Sequence, residues 1–279
     1  MDILHVFSAL VSALLHAGWN AAVKASPRPR AAMAAQLVAS GLIALPGLAF
    51  TGLPARAAWI WIALSVTLNL ITLTALLRAY ALIGFGAAYP VVRAISVVLV
   101  VPLAAHLSGE AMSPSGFAGV TLISASLLLL ALGNAGPHAV PRAALFWIVA
   151  AGIVTAAYVT CDAQGVRRAG SPLAYGFAVT FVNGATMSLL ALSAAGGSLR
   201  AIASYAPRAF PMAAAAVISY LLILWVWSVA PIAPAAALRD TSAAFAILIA
   251  ILWLKEPFTR LRLCAIVLSA AAVPLLRFA

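Results

Sequence analysis

The sequence predicts an all-helical, polytopic membrane protein: ten transmembrane helices built as two inverted five-helix repeats around a central cavity. Three observations carry that prediction. Of 279 residues, 66% are hydrophobic, while 16 are Lys or Arg and 5 are Asp or Glu, an apolar content that no soluble domain of this size could hide. The apolar residues fall into ten runs, each long enough to cross a hydrocarbon core of ~30 Å. An R-x-x-S pattern with an acid fourteen residues further on occurs twice, offset by 146: Arg93, Ser96 and Glu110, then Arg239, Ser242 and Glu256.

The first run, 3–23, carries Ser12, His16 and Asn20 at four-residue steps with Trp19 alongside, a polar face that belongs toward the bundle rather than lipid. Its lead-in, Met1-Asp2-Ile3-Leu4, lacks the basic stretch of a cleaved signal and is expected to stay as part of the first span. SPRPR at 26–30 separates it from the second run, 31–51, and the third, 57–79, holds Asn69 among Thr67, Thr72 and Thr74. In the fourth, 86–107, Arg93 lies about seven residues, or ~10 Å, inside the apolar stretch, between Pro90 and Pro102. SGEAMSPS at 108–115 closes it, the fifth run is 115–133, and GNAGPHAVP at 133–141 joins the halves.

The repeats are therefore 1–136 and 137–279. The second contains runs at 143–162, 172–195, 209–229, 233–254 and 260–278, the last preceded by KEPFTR. Tyr158 lies deep in the sixth run, Ala and Gly crowd 174–197 as a close-packing surface, and Pro231 and Pro234 lead into the ninth run with Arg239. A shift of 143 also places Val11-Ser12-Ala13 on Val154-Thr155-Ala156 and Lys24 on Arg167. Because five is odd, the second half enters the membrane from the opposite side, the pattern of transporters whose site lies near the midplane.

A guanidinium in the membrane interior costs several kcal/mol unless it meets protein, water or an anion. Arg93 and Arg239, entering from opposite sides, are thus expected to flank the midplane and offer a substrate carboxylate or phosphate a bidentate contact. Ser96 and Ser242 extend that strip on the same helix faces. Tyr89, one turn before Arg93, and Tyr158 are expected to hold the substrate body. His16, Asn20, Trp19 and Asn69 supply further polar candidates. Asp240, read as the one acid away from a helix end, is a candidate to neutralise Arg93 or Arg239 through a neighbouring helix and also the candidate coupling residue, whereas Glu110 and Glu256 at helix ends read as structural caps.

The net charge of +11 sits mostly between apolar runs, where headgroups and topology explain it, so no nucleic-acid partner is read from it. Cys161 and Cys264 lack CxxC spacing, and neither a metal site nor a cofactor is expected. The sequence contains no HExxH and no GxSxG, which speaks against a membrane-embedded enzyme, and no P-loop, so energy must come from a gradient. Expected partners are a small-molecule substrate and the lipid bilayer, with the chain a monomer in the plasma membrane.

Gly109-Glu110, Lys255-Glu256-Pro257, Tyr89-Pro90-Val91-Val92-Arg93 and Ala237-Leu238-Arg239-Asp240-Thr241-Ser242 together resemble the drug/metabolite transporter superfamily, specifically its proteins of two EamA-type repeats. The resemblance covers nearly the whole chain. It implies a basket in which helices 1, 3, 4, 6, 8 and 9 line the cavity and helices 5 and 10 are peripheral, with export of amino acids or related metabolites as the activity. It also implies cytoplasmic termini. The loop charges imply the reverse, since ten Lys and Arg lie on the side reached after odd-numbered runs and only Arg56, Arg167, Arg168 and Arg277 on the other. Two arginines also suit a doubly charged ligand, which keeps open the import of a phosphorylated or phosphonate-like organic anion.

Overall fold

The computed structural model of the chain describes residues 1–134, 140–193, 205–253 and 258–279. Within these the protein is all-helical. In chain order the elements are α1 (Ile3–Lys24), α2 (Pro29–Thr51), a 3-10 turn at Arg56–Ala58, α3 (Trp59–Ile83), α4 (Phe85–Ser108), α5 (Pro114–Asn134) and α6 (Arg142–Arg168). They continue as α7 (Pro172–Ser193), α8 (Ala206–Val229), α9 (Ile232–Asp240), α10 (Ser242–Leu252) and α11 (Arg260–Arg277). Eight spans among the described residues are long and apolar enough to cross a membrane: α1 to α6, α8, and α9 joined to α10. The chain is a multi-pass membrane protein.

Helix ends follow local chemistry. Asp2 accepts the N–H of Leu4 at 3.3 Å to cap α1, and Thr259 accepts that of Arg262 at 3.3 Å to cap α11. α2 begins at Pro29, whose missing N–H costs nothing in a first turn. α4 stops at Gly109, held at φ 65° in the left-handed region that a residue with a Cβ enters at a cost. Large apolar side chains such as Phe7, Phe50, Ile60 and Phe117 remain exposed on the outside of the bundle, as a lipid solvent allows.

Two boundaries differ from the sequence expectation, and both matter for the site. The sixth run was expected to end at 162, but α6 continues to Arg168 because Arg167 and Arg168 find partners at its end. Asp162 therefore lies inside a helix, more than one turn from its terminus. The ninth run is broken rather than continuous. The N–H of Thr241 reaches Leu238 O at 3.2 Å, an i to i−3 bond, and its hydroxyl takes the same carbonyl at 2.7 Å. That tight turn separates α9 from α10 directly after Arg239 and Asp240.

The principal packing pairs are α3 with α6, α1 with α8, α2 with α7, α5 with α11, α4 with both α5 and α6, and α1 with α9 and α10. Small residues set several of these contacts. Ser12 donates to Ser219 O at 2.6 Å and Ser219 donates back to Ser12 O at 2.7 Å, clamping α1 to α8. Ser126 donates to Ala265 O at 2.8 Å and lies 2.8 Å from Ser269 Oγ, joining α5 to α11. Where α2 crosses α7, Gly41 and Gly184 meet backbone to backbone, with no room for a side chain between them.

A Cβ on Gly184 would stand 2.7 Å from Gly41 Cα and 2.9 Å from Leu37 O. Gly184→Ala is therefore expected to lower stability by about 1–3 kcal/mol, the usual cost of overpacking. Gly18→Ala in α1, whose added Cβ would meet nothing within 4 Å, is the matched control. Thermal unfolding of the two purified variants in one detergent checks this, and equal midpoints would remove the close crossing as a stability determinant.

Candidate functional site

α4 and α9 bring the charges to the middle of the bundle. Tyr89 and Arg93 sit one turn apart on α4, and Arg239 and Asp240 close α9. Neighbours on a helix point about 100° apart, and this pair diverges accordingly. Asp240, 3% exposed, accepts a charge-assisted hydrogen bond from Nη2 of Arg93. Arg239 instead lays its guanidinium over the ring of Trp227, 5.7 Å from the centroid, and faces the hydroxyls of Tyr158 and Tyr220. Its Nε is buried without a hydrogen-bond acceptor. Of the nine residues of α9 all but Arg239 are buried, and Arg239 is itself largely covered.

The two arginines therefore differ. Arg93, expected as a substrate hook, is held by a permanent carboxylate neighbour. Of the two roles expected of Asp240, neutralising an arginine and coupling, the structure has the first: Asp240 is that neighbour and is committed to an ion pair. Arg239 is left, among the described residues, with an aromatic face and phenol oxygens but no carboxylate.

A cavity of about 160 Å³ opens beside this cluster, lined by His16 and Asn20 of α1, Tyr89 and Pro90 of α4, and Ser242 of α10, with Arg262 among its lining residues. A volume near this is known to hold a guest of roughly benzene size. His16 lies within electrostatic reach of both guanidiniums and meets Trp19 edge to face at 5.2 Å. Asn20 faces the cavity but spends its amide on His16 O at 2.7 Å.

Other expected site residues are placed elsewhere. Trp19 packs on a second apolar cluster containing Ala35 and Ala213. Ser96 is buried, 2% exposed, outside the cavity lining. Asn69 donates to Asn183 Oδ1 at 3.2 Å, tying α3 to α7. Trp227 is fully buried under Arg239.

The structure adds a residue that sequence reasoning missed. Asp162 on α6 is completely buried, and its carboxylate accepts hydrogen bonds from Tyr175 at 3.1 Å and Tyr220 at 2.8 Å. Tyr158, one turn earlier on α6, lies beside the same group. Gly165 makes this possible, since a Cβ there would lie 2.5 Å from the Tyr175 ring. Among the described residues Asp162, and not Asp240, which closes α9, is thus the acid well inside a helix. The available signal was Tyr158 and Asp162 at four-residue spacing in an apolar stretch, obscured by ending that stretch at 162.

One end of the bundle is tied shut. Glu110 pairs with Arg167 at 2.8 Å and accepts the Ile232 N–H at 2.7 Å, capping α9, while Arg167 donates to Trp227 O at 2.9 Å and Ala230 O at 2.8 Å. One ion pair so satisfies the free carbonyls ending α8 and a free donor starting α9. Glu256, its expected counterpart, lies outside the described residues, as does Arg200. Among the described residues no cluster of three metal-ligating side chains occurs.

No protein-family model matches the sequence, and no curated protein matches it. A solved crystal structure superposes with a TM-score of 0.69 at 14% identity, over 98% of this chain and 94% of its own length. The chain therefore shares its whole helical architecture with a known structure, and that likeness establishes the fold alone.

Proposed function

We propose that the protein is a secondary transporter of the drug/metabolite type, ten spans in two inverted repeats, that moves amino acids or similar carboxylate metabolites by alternating access. The exchange of helix pairs supports the repeat: α1 with α8 and α6 with α3 are equivalent contacts, whereas α2 with α7 and α5 with α11 are contacts of a helix with its own counterpart. Gly41 and Gly184, and likewise Ser126 and Ser269, are each 143 residues apart, the offset that superposes Val11-Ser12-Ala13 on Val154-Thr155-Ala156. Contacts between equivalent residues are expected on a two-fold axis.

One observation carries the substrate class. Arg239 is a largely buried cation without a carboxylate partner among the described residues, lying on an aromatic face. Such a cation calls for an anion. Because Asp240 neutralises Arg93, one positive charge is available rather than two, which favours a carboxylate over a phosphorylated or phosphonate-like dianion. Tyr89, Tyr158 and Tyr220 offer surface for an apolar or aromatic body. Carrier function, not catalysis, suits a site in which both carboxylates are enclosed by donors.

The test is a thermal-unfolding screen of the purified protein against the twenty amino acids and a panel of organophosphates, followed by counterflow in proteoliposomes. A ligand at 100 times its Kd adds about 2.7 kcal/mol of stability. Amino acids are expected to raise the midpoint and the stabilising ones to exchange across the membrane. Stabilisation by organophosphates alone would replace this reading with the anion importer.

A further inference from the structure

We propose that the Glu110–Arg167 ion pair is a gate at the end of the bundle where α4, α6 and α8 finish and α9 begins, and that it parts to open the charged centre of Arg93, Arg239 and Asp240 on that side; the inference rests on the transport reading above. The described cavity lies toward the opposite end. Its lining includes Lys24, which closes α1, and Gly86 and Tyr89 in the first turns of α4. Glu110 follows the far end of that 24-residue helix, about 36 Å away along its axis.

The pair fastens several elements at one point. Glu110 takes the guanidinium of Arg167 on α6 at 2.8 Å and the Ile232 N–H of α9 at 2.7 Å, and Arg167 holds the end of α8 through Trp227 O and Ala230 O. Beside it Gln164 donates to Leu107 O at 3.4 Å and to the hydroxyl of Ser108, and Arg168 lies 5.0 Å from the Trp61 ring centroid. α9 starts at this point and ends, nine residues or about 13 Å further on, at Arg239 and Asp240. While the pair holds, the joined ends of α4, α6, α8 and α9 stand between the charged centre and this face of the bundle.

Two features suit this pair to part, and the pair of Arg93 with Asp240 lacks the first. The side chains of Arg167 and Glu110 are 26% and 18% exposed, so water can take over their hydrogen bonds, whereas that of Asp240 is 2% exposed and would be stranded. The groups that the pair releases lie in the last turn of α8 and the first of α9, where water is an ordinary partner. Glu110 also lies outside any helix, in the stretch 109–113, directly after Gly109 at φ 65°. It can swing away without unwinding α4, and the backbone change falls on residues at the end of an element, as in other hinges.

Spin labels on Leu107→Cys and Val229→Cys, exposed at the ends of α4 and α8, read the separation across the gate in lipid nanodiscs, with the exposed Cys264 replaced by Ser. Glu110→Gln keeps an oxygen for the Ile232 N–H and removes the charge. It and Arg167→Gln should each raise the share of a longer distance about tenfold, the scale of one lost charge-assisted hydrogen bond. Unchanged distances in both variants, whatever their unfolding midpoints, would make the pair a structural staple and overturn the proposal. In proteoliposomes, Ser108→Cys with Gln164→Cys, bridged by a reducible bis-methanethiosulfonate, should stop counterflow of an equimolar mixture of radiolabelled amino acids, and reduction should restore it. Full counterflow with the bridge in place would equally remove the gate. Absence of counterflow in the wild type, beside a longer distance in Glu110→Gln, would sink the transport reading and leave the opening standing.

Discussion

Arg93→Leu is expected to destabilise the folded protein by about 3–5 kcal/mol, the range for removing one partner of a buried ion pair. The cause is Asp240, 3% exposed and bonded to the Arg93 guanidinium, which would be left as a charge with no counter-ion in the bundle. Asp240→Leu should do comparable damage from the other side, leaving Arg93 unpaired where its side chain is only 17% exposed. The double variant should recover much of the loss, because replacing both members with apolar groups is often close to neutral. Thermal unfolding of the three variants in one detergent forms a double-mutant cycle. Additive losses would mean that the two residues act independently and that Arg93 is not held by Asp240.

Arg239→Met should behave in the opposite way. Arg239 has no carboxylate partner among the described residues to strand, and its Nε is buried without an acceptor, so an apolar side chain of similar length should leave stability unchanged or raise it. Substrate exchange should collapse. Losing the charged partner of a desolvated carboxylate costs about 2–5 kcal/mol, roughly 30- to 4,000-fold in affinity. Arg239→Lys should fall between, since an ammonium keeps the charge but not the planar fork. Counterflow measured beside the unfolding midpoint separates the two roles, and wild-type exchange in Arg239→Met would eliminate this residue as the anion anchor.

These opposite expectations for two arginines in matching positions mark how far sequence reading reached. Both follow from R-x-x-S in an apolar run, and both are correctly placed inside the bundle. Nothing in that pattern tells that Asp240 turns to α4 while Arg239 turns to Trp227, because the two neighbours face different helices, and which helices those are is set by packing. Trp227 illustrates the same limit. Near the end of an apolar run, a tryptophan that anchors at a headgroup and one that lies beneath a guanidinium have the same sequence surroundings. Asn69 and Ser12, polar residues on apolar helices, were legible as inward-facing, but their partners Asn183 and Ser219 lie 114 and 207 residues away.

The sequence by itself determined that this chain crosses a membrane several times as helices and where most of its apolar runs lie. Those properties depend on hydrocarbon thickness and on local periodicity, both of which act along the chain. Only the tertiary structure decided that Arg93 is neutralised while Arg239 meets no carboxylate among the described residues, and that Asp162 of α6 takes hydroxyls from α7 and α8. Charge compensation in a medium without water depends on distances between residues far apart in sequence, and those distances exist only once the helices have packed.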